Sequence, residues 1–298
     1  MIFCVFSFNR GRFLQNCISS IEKCAPNHTV AIFDDNSDDP ETIQILKEIK
    51  KKYMVYQPNK NINSRHHLGG LYGNMQKAFE AYSSAELLCY LQDDTQLVRP
   101  IDEEDIIEIK RAFGSSTSLG FISPCFIRGI NLTKGAQYSY NKELSLYFRE
   151  NSKRSSGTYF SALLIAKPER LIAAQWSFLK SEPANNSAAE KRFSKLGYLY
   201  APFAMWLPEV PAYRGKKKTI ALKIAEKKRK CGYYPFMPLT RQEANDLKHR
   251  PHEILPIAED FLHCVQYEPA KPWSYNPLTR TSFLKKFNQL ETIARRYL

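Results

Sequence analysis

Polar clusters stand directly after three apolar runs, and their residue types are those that bind charged ligands. The first cluster is SFNRG at residues 7–11, the second is DDNS at residues 34–37, and the third is QDDT at residues 92–95. In an open parallel sheet, ligands bind beyond the carboxyl ends of the strands. If the three apolar runs are strands of one such sheet, the clusters line a single crevice.

The second and third clusters each contain a pair of aspartates, Asp34-Asp35 and Asp93-Asp94. Carboxylates held this close raise one another's pKa unless a cation lies nearby. A divalent ion meets that need, and carboxylate oxygens suit hard ions such as Mg²⁺ or Mn²⁺. Each pair also has a structural interpretation, because Asp and Asn after a strand often form a turn or cap the next helix. The ordered set of three clusters favours a ligand site more than either pair alone.

The first 98 residues carry the elements needed to position these clusters. Apolar residues at helical spacing, from Phe13 to Ile21, separate the first two apolar runs. Asp39 and Pro40 have the residue types of an N-cap and a first helical position. The predicted strands are 2–6, 30–33, 53–56 and 87–91, and a third helix is predicted over 71–82. This βαβαβαβ order predicts an α/β fold with a parallel, doubly wound sheet.

Beyond residue 98 the pattern is less regular. The sequence predicts strands at 159–166 and 198–204, helices at 187–196, 219–230 and 282–297, and a helix that starts at Pro168. Residues 233–278 are rich in Pro and Tyr and show little periodicity. The run KKK at 216–218 marks the predicted boundary between a first domain, 1–215, and a basic C-terminal extension, 216–298.

Composition places the chain among globular proteins, since 43% of its 298 residues are hydrophobic and 24% are charged. Its seven cysteines form no CxxC pair, which favours buried thiols in a reducing compartment over a disulfide frame or a zinc site. The N-terminus lacks the basic leader of a signal peptide, and no stretch approaches the ~18 apolar residues of a membrane span. We therefore expect a cytoplasmic protein.

The net charge of +13 is unevenly placed. From Val210 to Leu298 there are 18 Lys and Arg against 8 Asp and Glu, which is +10 of that total. The excess predicts an anionic partner for this last third of the chain. Residues 216–230, KKKTIALKIAEKKRK, allow two interpretations. They form either an amphipathic helix on an anionic membrane surface, or a solvated helix packed on the core through Ile220 and Ile224.

The ordered segments FCVFSFNRGRFLQNCISSI, VAIFDDNSDDPETIQIL and LLCYLQDDTQLV resemble the nucleotide-binding half of inverting GT-A glycosyltransferases of the large family-2 type. The resemblance is strong over residues 2–98, weaker to residue 214, and absent beyond. It implies a GT-A, Rossmann-like fold with a mainly parallel sheet and a mostly helical C-terminal extension. It also implies that 1–98 is the nucleotide-binding half of the catalytic domain and 99–215 the acceptor half.

The resemblance implies roles for individual residues. Phe6 and Phe8 would flank the base, and Asp35 would accept a hydrogen bond from a pyrimidine N3–H. Asp93 would meet the ribose or the shell of the metal, and Asp94 would bind the Mn²⁺ or Mg²⁺ that bridges the diphosphate. Arg65 stands where such enzymes place a basic residue near base or phosphate; the alternative is a solvated loop charge.

The catalytic base is the point of departure from the family. An acidic pair usually opens the helix before a Gly-Tyr strand, and here Asn185-Asn186 stands at that position. Amides cannot accept the proton that an acceptor hydroxyl must lose. Glu190, one helical turn further on, is the predicted base, and Glu182 lies upstream as the alternative.

The predicted function is transfer of a sugar from a nucleotide sugar to a glycan or lipid-linked acceptor, with inversion. A UDP-linked sugar is the expected donor. Such an enzyme of polysaccharide synthesis would work in the cytoplasm or peripherally at the inner face of the membrane. A catalytically silent nucleotide-sugar binder is the alternative that the amide pair leaves open. A nucleotidyltransferase would need a Gly-rich phosphate loop after the first strand, and a nucleic-acid-binding protein would show a recognised module; neither is present.

Overall fold

The computed structural model describes residues 1–58, 70–150, 157–212, 218–279 and 281–297. A nine-stranded sheet forms its centre, with the spatial order β3-β2-β1-β4-β9-β6-β10-β8-β7. These strands are β1 (Ile2–Ser7), β2 (Thr29–Asp34), β3 (Met54–Tyr56), β4 (Leu88–Gln92), β6 (Phe121–Ser123), β7 (Tyr138–Asn141), β8 (Leu146–Arg149), β9 (Leu164–Ala166) and β10 (Gly197–Leu199). A separate antiparallel pair joins β5 (Thr95–Leu97) to β11 (Ala204–Trp206).

The central sheet is mainly parallel, as predicted. Strands β3, β2, β1 and β4 pair in parallel, and β6 pairs in parallel with β10. Within the described residues, β9 and β8 are the two strands that run against the others. Parallel β1, β2 and β4 bring their carboxyl ends to one edge, so the three polar clusters lie together.

Helices cover both faces of the sheet. They are α1 (Gly11–Cys24), α2 (Pro40–Ile49), α3 (Gly70–Ala81), α4 (Glu103–Ser115), α5 (Gly129–Leu132), α6 (Pro168–Ala173), α7 (Glu182–Glu190), α8 (Ile220–Arg229), α9 (Arg241–His249), α10 (Ala258–Phe261) and α11 (Ser282–Tyr297). Alternate residues of β1 enter two different cores: Val5 packs in the cluster that includes Leu14 of α1, and Phe6 in the cluster that includes Met75 of α3. This confirms the doubly wound α/β arrangement. None of these helices combines the length and the apolar character needed to cross a membrane, over the ranges described above.

Several elements of the second part differ from the prediction. The strand expected over 159–166 is confined to β9, and the one expected over 198–204 is divided between β10 and β11. Helix α7 begins at Glu182, five residues before the predicted start, because Ser181 caps it by accepting from the Ala184 N–H. The helix α4 and the β7–β8 hairpin were not anticipated.

The C-terminal extension is mostly helical, as expected, and shares the core of the preceding residues. Phe236 and Trp273 are fully buried there. The side chain of Gln96 exchanges two hydrogen bonds with the backbone of Phe236, at 2.7 and 3.0 Å. The buried carboxylate of Glu259 accepts from the N–H groups of Gly129 and Trp273 at 2.8 and 3.0 Å. The division into domains at residue 215 stays a prediction.

Gly11 is where the first two helices approach most closely. Its N–H donates to Thr42 Oγ1 at 2.9 Å. A Cβ at position 11 would lie 2.8 Å from the Thr42 Cα and 2.9 Å from the Ile45 side chain. Only glycine therefore permits α1 to start against α2 at this distance.

We expect Gly11→Ala to lower the free energy of unfolding by about 1–3 kcal/mol, because the added methyl group must push two packed helices apart. Gly114→Ala is the matched control, since a Cβ at this helical position meets no atom within 4 Å. That substitution should be neutral or raise stability by up to about 1 kcal/mol. Urea titrations of both variants measure the difference, and equal stabilities would show that the close approach at Gly11 is not rigid.

Candidate functional site

The loop after β1 is locked to the loop after β2 by the side chain of Asn9. Asn9 has a φ of +51°, a left-handed conformation that Asn tolerates better than most residues. Its Oδ1 accepts from the N–H groups of Asp38 and Asp39 at 2.8 and 2.9 Å. Its own N–H donates to Ser37 Oγ at 2.9 Å. The lock holds the next residue, Arg10, over the end of the neighbouring strand β4.

Arg10 bridges the two aspartates that follow β4. Its Nη1 lies 2.6 Å from Asp94 Oδ2 and 3.3 Å from Asp93 Oδ1. Burial lowers the pKa of the Arg10 guanidinium, but Asp94 and Asp93 raise that pKa by more, so the cation is held charged. An arginine of the chain itself therefore offsets part of the expected repulsion between the aspartates; the sequence places Arg10 in the first polar cluster but does not reveal this pairing.

Asp93 is the more deeply embedded carboxylate of the pair. It is 5% exposed and accepts a hydrogen bond from the Phe8 N–H at 3.1 Å. The pKa of Asp93 is raised to about 7, mainly by burial and then by the charge of Asp94, against the lowering effect of Arg10. Burial and the neighbouring carboxylate together make this a site that favours added positive charge.

Asp94 meets the requirements of a cation ligand in part. Its Oδ2 pairs with Arg10, while its Oδ1 is buried and has no hydrogen-bond partner among the described residues. A buried carboxylate oxygen without a partner is costly unless a ligand satisfies it. Three or more His, Cys, Asp and Glu do not come together as a metal-holding group anywhere in those residues. The donor set thus fits a hard divalent ion that takes most of its ligands from a bound substrate and water.

One open cavity lies at the carboxyl ends of β1 and β4, and we call it the Asp35 cavity. It has a volume of about 540 Å³. Four of the predicted nucleotide-binding residues line it, namely Phe6, Phe8, Asp35 and Asp93. Phe6 forms part of its floor, because its ring is 4% exposed and stacks on Tyr90 at 5.7 Å. Phe8 is half-buried and presents more of its ring to the cavity.

The two aspartates after β2 have different surroundings. Asp34 is fully buried and accepts from the Ser37 N–H and from Gln57 Nε2, so it builds the turn. Asp35 is half-buried, and its Oδ1 accepts from the Gly70 N–H at 2.7 Å. Burial raises the pKa of Asp35, in opposition to that hydrogen bond. The structural interpretation holds for Asp34, and Asp35 is the member of the pair that lines the cavity.

A second cavity of about 270 Å³ adjoins the first, and we call it the Glu182 cavity. Its charged lining residues are Asp94, Arg128 and Glu182. Burial raises the pKa of Glu182, while Arg128 lowers it in part. The guanidinium of Arg128 lies over the rings of Trp206 and Tyr275, at 5.3 and 5.7 Å from their centres.

The two cavities meet along three shared residues, Leu71, Tyr72 and Gln92. Asp93 lines the Asp35 cavity and Asp94 lines the Glu182 cavity, so the aspartate pair stands at the junction. This arrangement can hold an extended anionic ligand in the first cavity and a polar group to be modified in the second.

The predicted catalytic base, Glu190, is not brought to this site. It is exposed, stands at the last position of α7, and lines neither cavity. Glu182 occupies the first position of the same helix, about 12 Å away at 1.5 Å per residue. Because α7 starts earlier than expected, it is this upstream alternative that faces Asp94 across the cavity.

The amide pair Asn185-Asn186 is buried and structural. Asn185 Nδ2 donates to the carbonyls of Leu179 and Ser181 and fixes the start of α7. Asn186 Oδ1 accepts from the N–H groups of Tyr159 and Phe160 at 3.0 and 3.2 Å. The bonds of Asn186 hold the loop that walls the Glu182 cavity, and the two donor bonds of Asn185 require an amide, because an ionised acid has no N–H to donate.

Two further predictions concern basic residues. Arg65 lies outside the described residues, so its proposed contact with base or phosphate stays a prediction. The packing of helix α8 through Ile220 and Ile224 is wrong: these side chains are 57% and 48% exposed, and the fully buried positions are Ala221 and Ala225. Helix α8 therefore turns its small residues inward and its larger apolar residues outward.

Comparison with known proteins bears on the first third of the chain. Residues 2–111 match the profile of "Glycosyl transferase family 2". No curated protein sequence matches the chain.

Solved structures give weaker likenesses. Residues 1–349 of S. aureus TarS are 17% identical over 68% of this chain and 59% of that one, with a TM-score of 0.44. The same protein in complex with UDP is 15% identical over 68% of this chain and 60% of that one, with a TM-score of 0.45. The mannosyltransferase PcManGT from Pyrobaculum calidifontis, with GDP-Man and Mn²⁺, is 11% identical over 84% of this chain and 64% of its own, with a TM-score of 0.43. The chain thus spans 59% to 64% of the length of these structures.

The matched segment contains β1, β2 and β4, the three polar clusters that follow them, and both aspartate pairs. The mainly parallel sheet places those clusters at one edge, beside the two adjoining cavities. Residues 2–111 are thus similar to glycosyltransferase family 2, and this matched segment contains the three polar clusters of the candidate site.

Proposed function

We propose that the protein transfers a sugar from a UDP-linked donor to a hydroxyl group of a glycan or lipid-linked acceptor, with inversion at the anomeric carbon. The observation that carries the proposal is the junction of the two cavities at Asp93 and Asp94. A donor lying across this junction would have its nucleoside in the Asp35 cavity and its sugar in the Glu182 cavity.

The nucleoside is bound through one aromatic ring and one carboxylate. The ring of Phe8 offers a face on which a base can stack. Asp35 accepts hydrogen bonds and so favours a base that presents an N–H, as the uracil N3–H does. Asp93 stands close to the ribose and the diphosphate in this arrangement.

Asp94, with Asp93 in support, would hold the divalent cation, Mn²⁺ or Mg²⁺. The buried and unpartnered Oδ1 of Asp94 supports this assignment. When bound, such an ion supplies Lewis-acid stabilisation of the charge on a leaving diphosphate. Arg10 remains paired with the other oxygen of Asp94 and keeps that side chain in position.

Glu182 would act as the general base in place of Glu190. The acceptor oxygen attacks the anomeric carbon on the face opposite the diphosphate, the bond from that carbon to the diphosphate oxygen breaks, and the hydroxyl proton passes to the Glu182 carboxylate. A carboxylate whose pKa is raised by burial is a stronger base than one in water. Arg128, stacked on Trp206, keeps the carboxylate from being isolated in the cavity wall.

Aromatic and hydroxyl groups of the Glu182 cavity would bind the acceptor. The rings of Tyr72, Tyr198, Trp206 and Tyr275 line the Glu182 cavity and suit a sugar acceptor. The buried hydroxyl oxygen of Tyr275 has no partner among the described residues and could bind one of its hydroxyl groups. We further propose that the protein lies peripherally at the cytoplasmic face of a membrane. Nucleic acid has no role in this proposal.

Asp94→Asn should abolish the dependence of UDP binding on Mn²⁺, because the amide keeps the hydrogen bond with Arg10 but loses the charge that holds the ion. Isothermal titration of UDP with and without Mn²⁺ measures the effect. Asp246→Asn, an exposed aspartate of α9, is the matched control. Metal-dependent UDP affinity that is the same in both variants and the parent would remove Asp94 from the site.

Asp35→Ala should weaken UDP binding by about 1.5–3 kcal/mol, as expected for loss of a hydrogen bond to a charged acceptor. GDP binding should change much less, since the discrimination lies in the base. Glu41→Gln, an exposed acid at the start of α2, is the control. If UDP and GDP lose affinity equally, Asp35 acts on the shape of the cavity and does not select the base.

Glu182→Gln should reduce turnover by about 10²–10⁴, the usual contribution of general-base catalysis, and leave the affinity for UDP unchanged. Glu190→Gln is the matched control on the same helix and should retain the parent rate. The measurement is transfer from UDP-sugars under saturating donor. A loss of activity in the Glu190 variant alone would restore the original assignment, and normal turnover in both variants would place the base elsewhere in the chain.

A further inference from the structure

The last helix, α11, carries an apolar stripe that the described residues leave in water. Phe283, Phe287 and Leu290 recur at spacings of four and three residues, which places them on one face of the helix. Their side chains are 78%, 40% and 65% exposed, and Ile293 beside them is 51% exposed. Large exposed apolar groups gathered on one face mark an interaction surface more often than single exposed residues do.

The opposite face of α11 fixes the helix to α8 through polar contacts. Asn288 Oδ1 accepts from Thr219 Oγ1 at 2.6 Å, and the Glu291 carboxylate accepts from the Ile220 N–H at 2.8 and 3.0 Å. Arg295 pairs with the same Glu291 at 2.6 Å. An amphipathic helix of a globular protein normally turns its apolar face to the core. In α11 the polar face contacts the rest of the protein, so the apolar stripe faces outward.

Exposed positive charge is present on both α11 and α8. The acids of the two helices are used within the protein: Glu226 pairs with Lys218 at 2.8 Å, and Glu291 caps α8 as described. The lysines of the two helices are exposed and form no ion pair with any described residue; they are Lys223, Lys227, Lys228, Lys285 and Lys286. The pair of helices therefore presents apolar groups and unpaired cations together.

We infer that α11 docks the protein on an anionic lipid surface, with α8 as its basic flank. Phe283, Phe287 and Leu290 enter the boundary between headgroups and acyl chains, and the lysines meet the lipid phosphates. This goes beyond the segment 216–230 considered from the sequence, because the apolar part of the surface is supplied by α11. It does not depend on the donor or on the catalytic base.

The charge distribution favours lipid over the other occupants. A second copy seated face to face would bring two sets of exposed lysines together in a protein of net charge +13, and like charges oppose association. A nucleic acid would meet the lysines but would leave aliphatic side chains such as Leu290 against a charged backbone. An anionic bilayer satisfies both components.

Co-sedimentation of the full chain with vesicles tests the inference. Binding should occur to phosphatidylcholine vesicles that contain phosphatidylglycerol, fall on addition of salt, and be weak with phosphatidylcholine alone. The double variant Phe283→Ser with Leu290→Ser should lower the affinity at least about tenfold, because two apolar insertions are lost. Ile107→Ser with Ile172→Ser is the matched control, since these side chains are 62% and 55% exposed on other helices, and it should bind as the parent does.

Lys285→Gln with Lys286→Gln should weaken binding and reduce its salt dependence, whereas Lys47→Gln with Lys50→Gln, in the last turn of α2 and directly after it, should not. The inference is overturned if the parent fails to sediment with anionic vesicles, or if the stripe variant and its control bind equally. Sedimentation velocity without lipid tests whether a second copy of the chain covers this face instead. A dimer that the double variant Phe283→Ser with Leu290→Ser converts to monomer would make the face a self-association surface and overturn the inference. Retention on DNA that is lost with the lysine variant, without vesicle binding, would also overturn it.

Discussion

The ion cluster of Arg10 with Asp93 and Asp94 is the interaction on which the site depends. Charges removed from water are costly unless they are paired at short range. The arginine follows β1 and the aspartates follow β4, and these strands are neighbours in the sheet. The pairing therefore ties two strand ends together and sets the width of the crevice between them. Asn9 fixes the loop that carries Arg10, and Gly11 lets helix α1 begin close to helix α2.

Much of the structure of residues 1–98 could be predicted from the sequence, because its signals are local. Strands β1, β2 and β4 are short apolar runs, and the cap of α2 by Asp39 is visible in the DDP sequence that opens it. The metal and nucleotide roles of Asp94 and Asp35 are implied by the family resemblance of these segments and stay predictions. Arg10 was visible as well, but only the pairing of β1 with β4 shows that it is the counter-ion of the aspartates.

The structure beyond residue 98 could be predicted less well, because its geometry depends on contacts between segments that are distant in the sequence. The sequence does contain the signals for the start of α7, because Ser181 is a favourable N-cap and Pro183 a favourable early helical residue. That Glu182 faces Asp94 depends on the burial of Asn185 and Asn186 against another loop. Within residues 233–278 only the short helices α9 and α10 are regular among the described residues, and individual buried contacts such as the bond of Gln96 to Phe236 hold the segments between them, which leaves little periodicity in the sequence.

The state of Asp94 bears on how a donor could bind without disturbing the fold. One oxygen is committed to Arg10 and the other is unpartnered, so a cation can be accepted without breaking the pair that ties β1 to β4. Asp93 differs, since burial raises its pKa to about 7, and a nearby divalent charge would favour its ionised form. A bound cation would then add positive charge next to this carboxylate and offset the charge of an anionic donor. A site whose structural ion pair and ligand-binding oxygen belong to one side chain can remain folded when empty and gain electrostatic stability when filled.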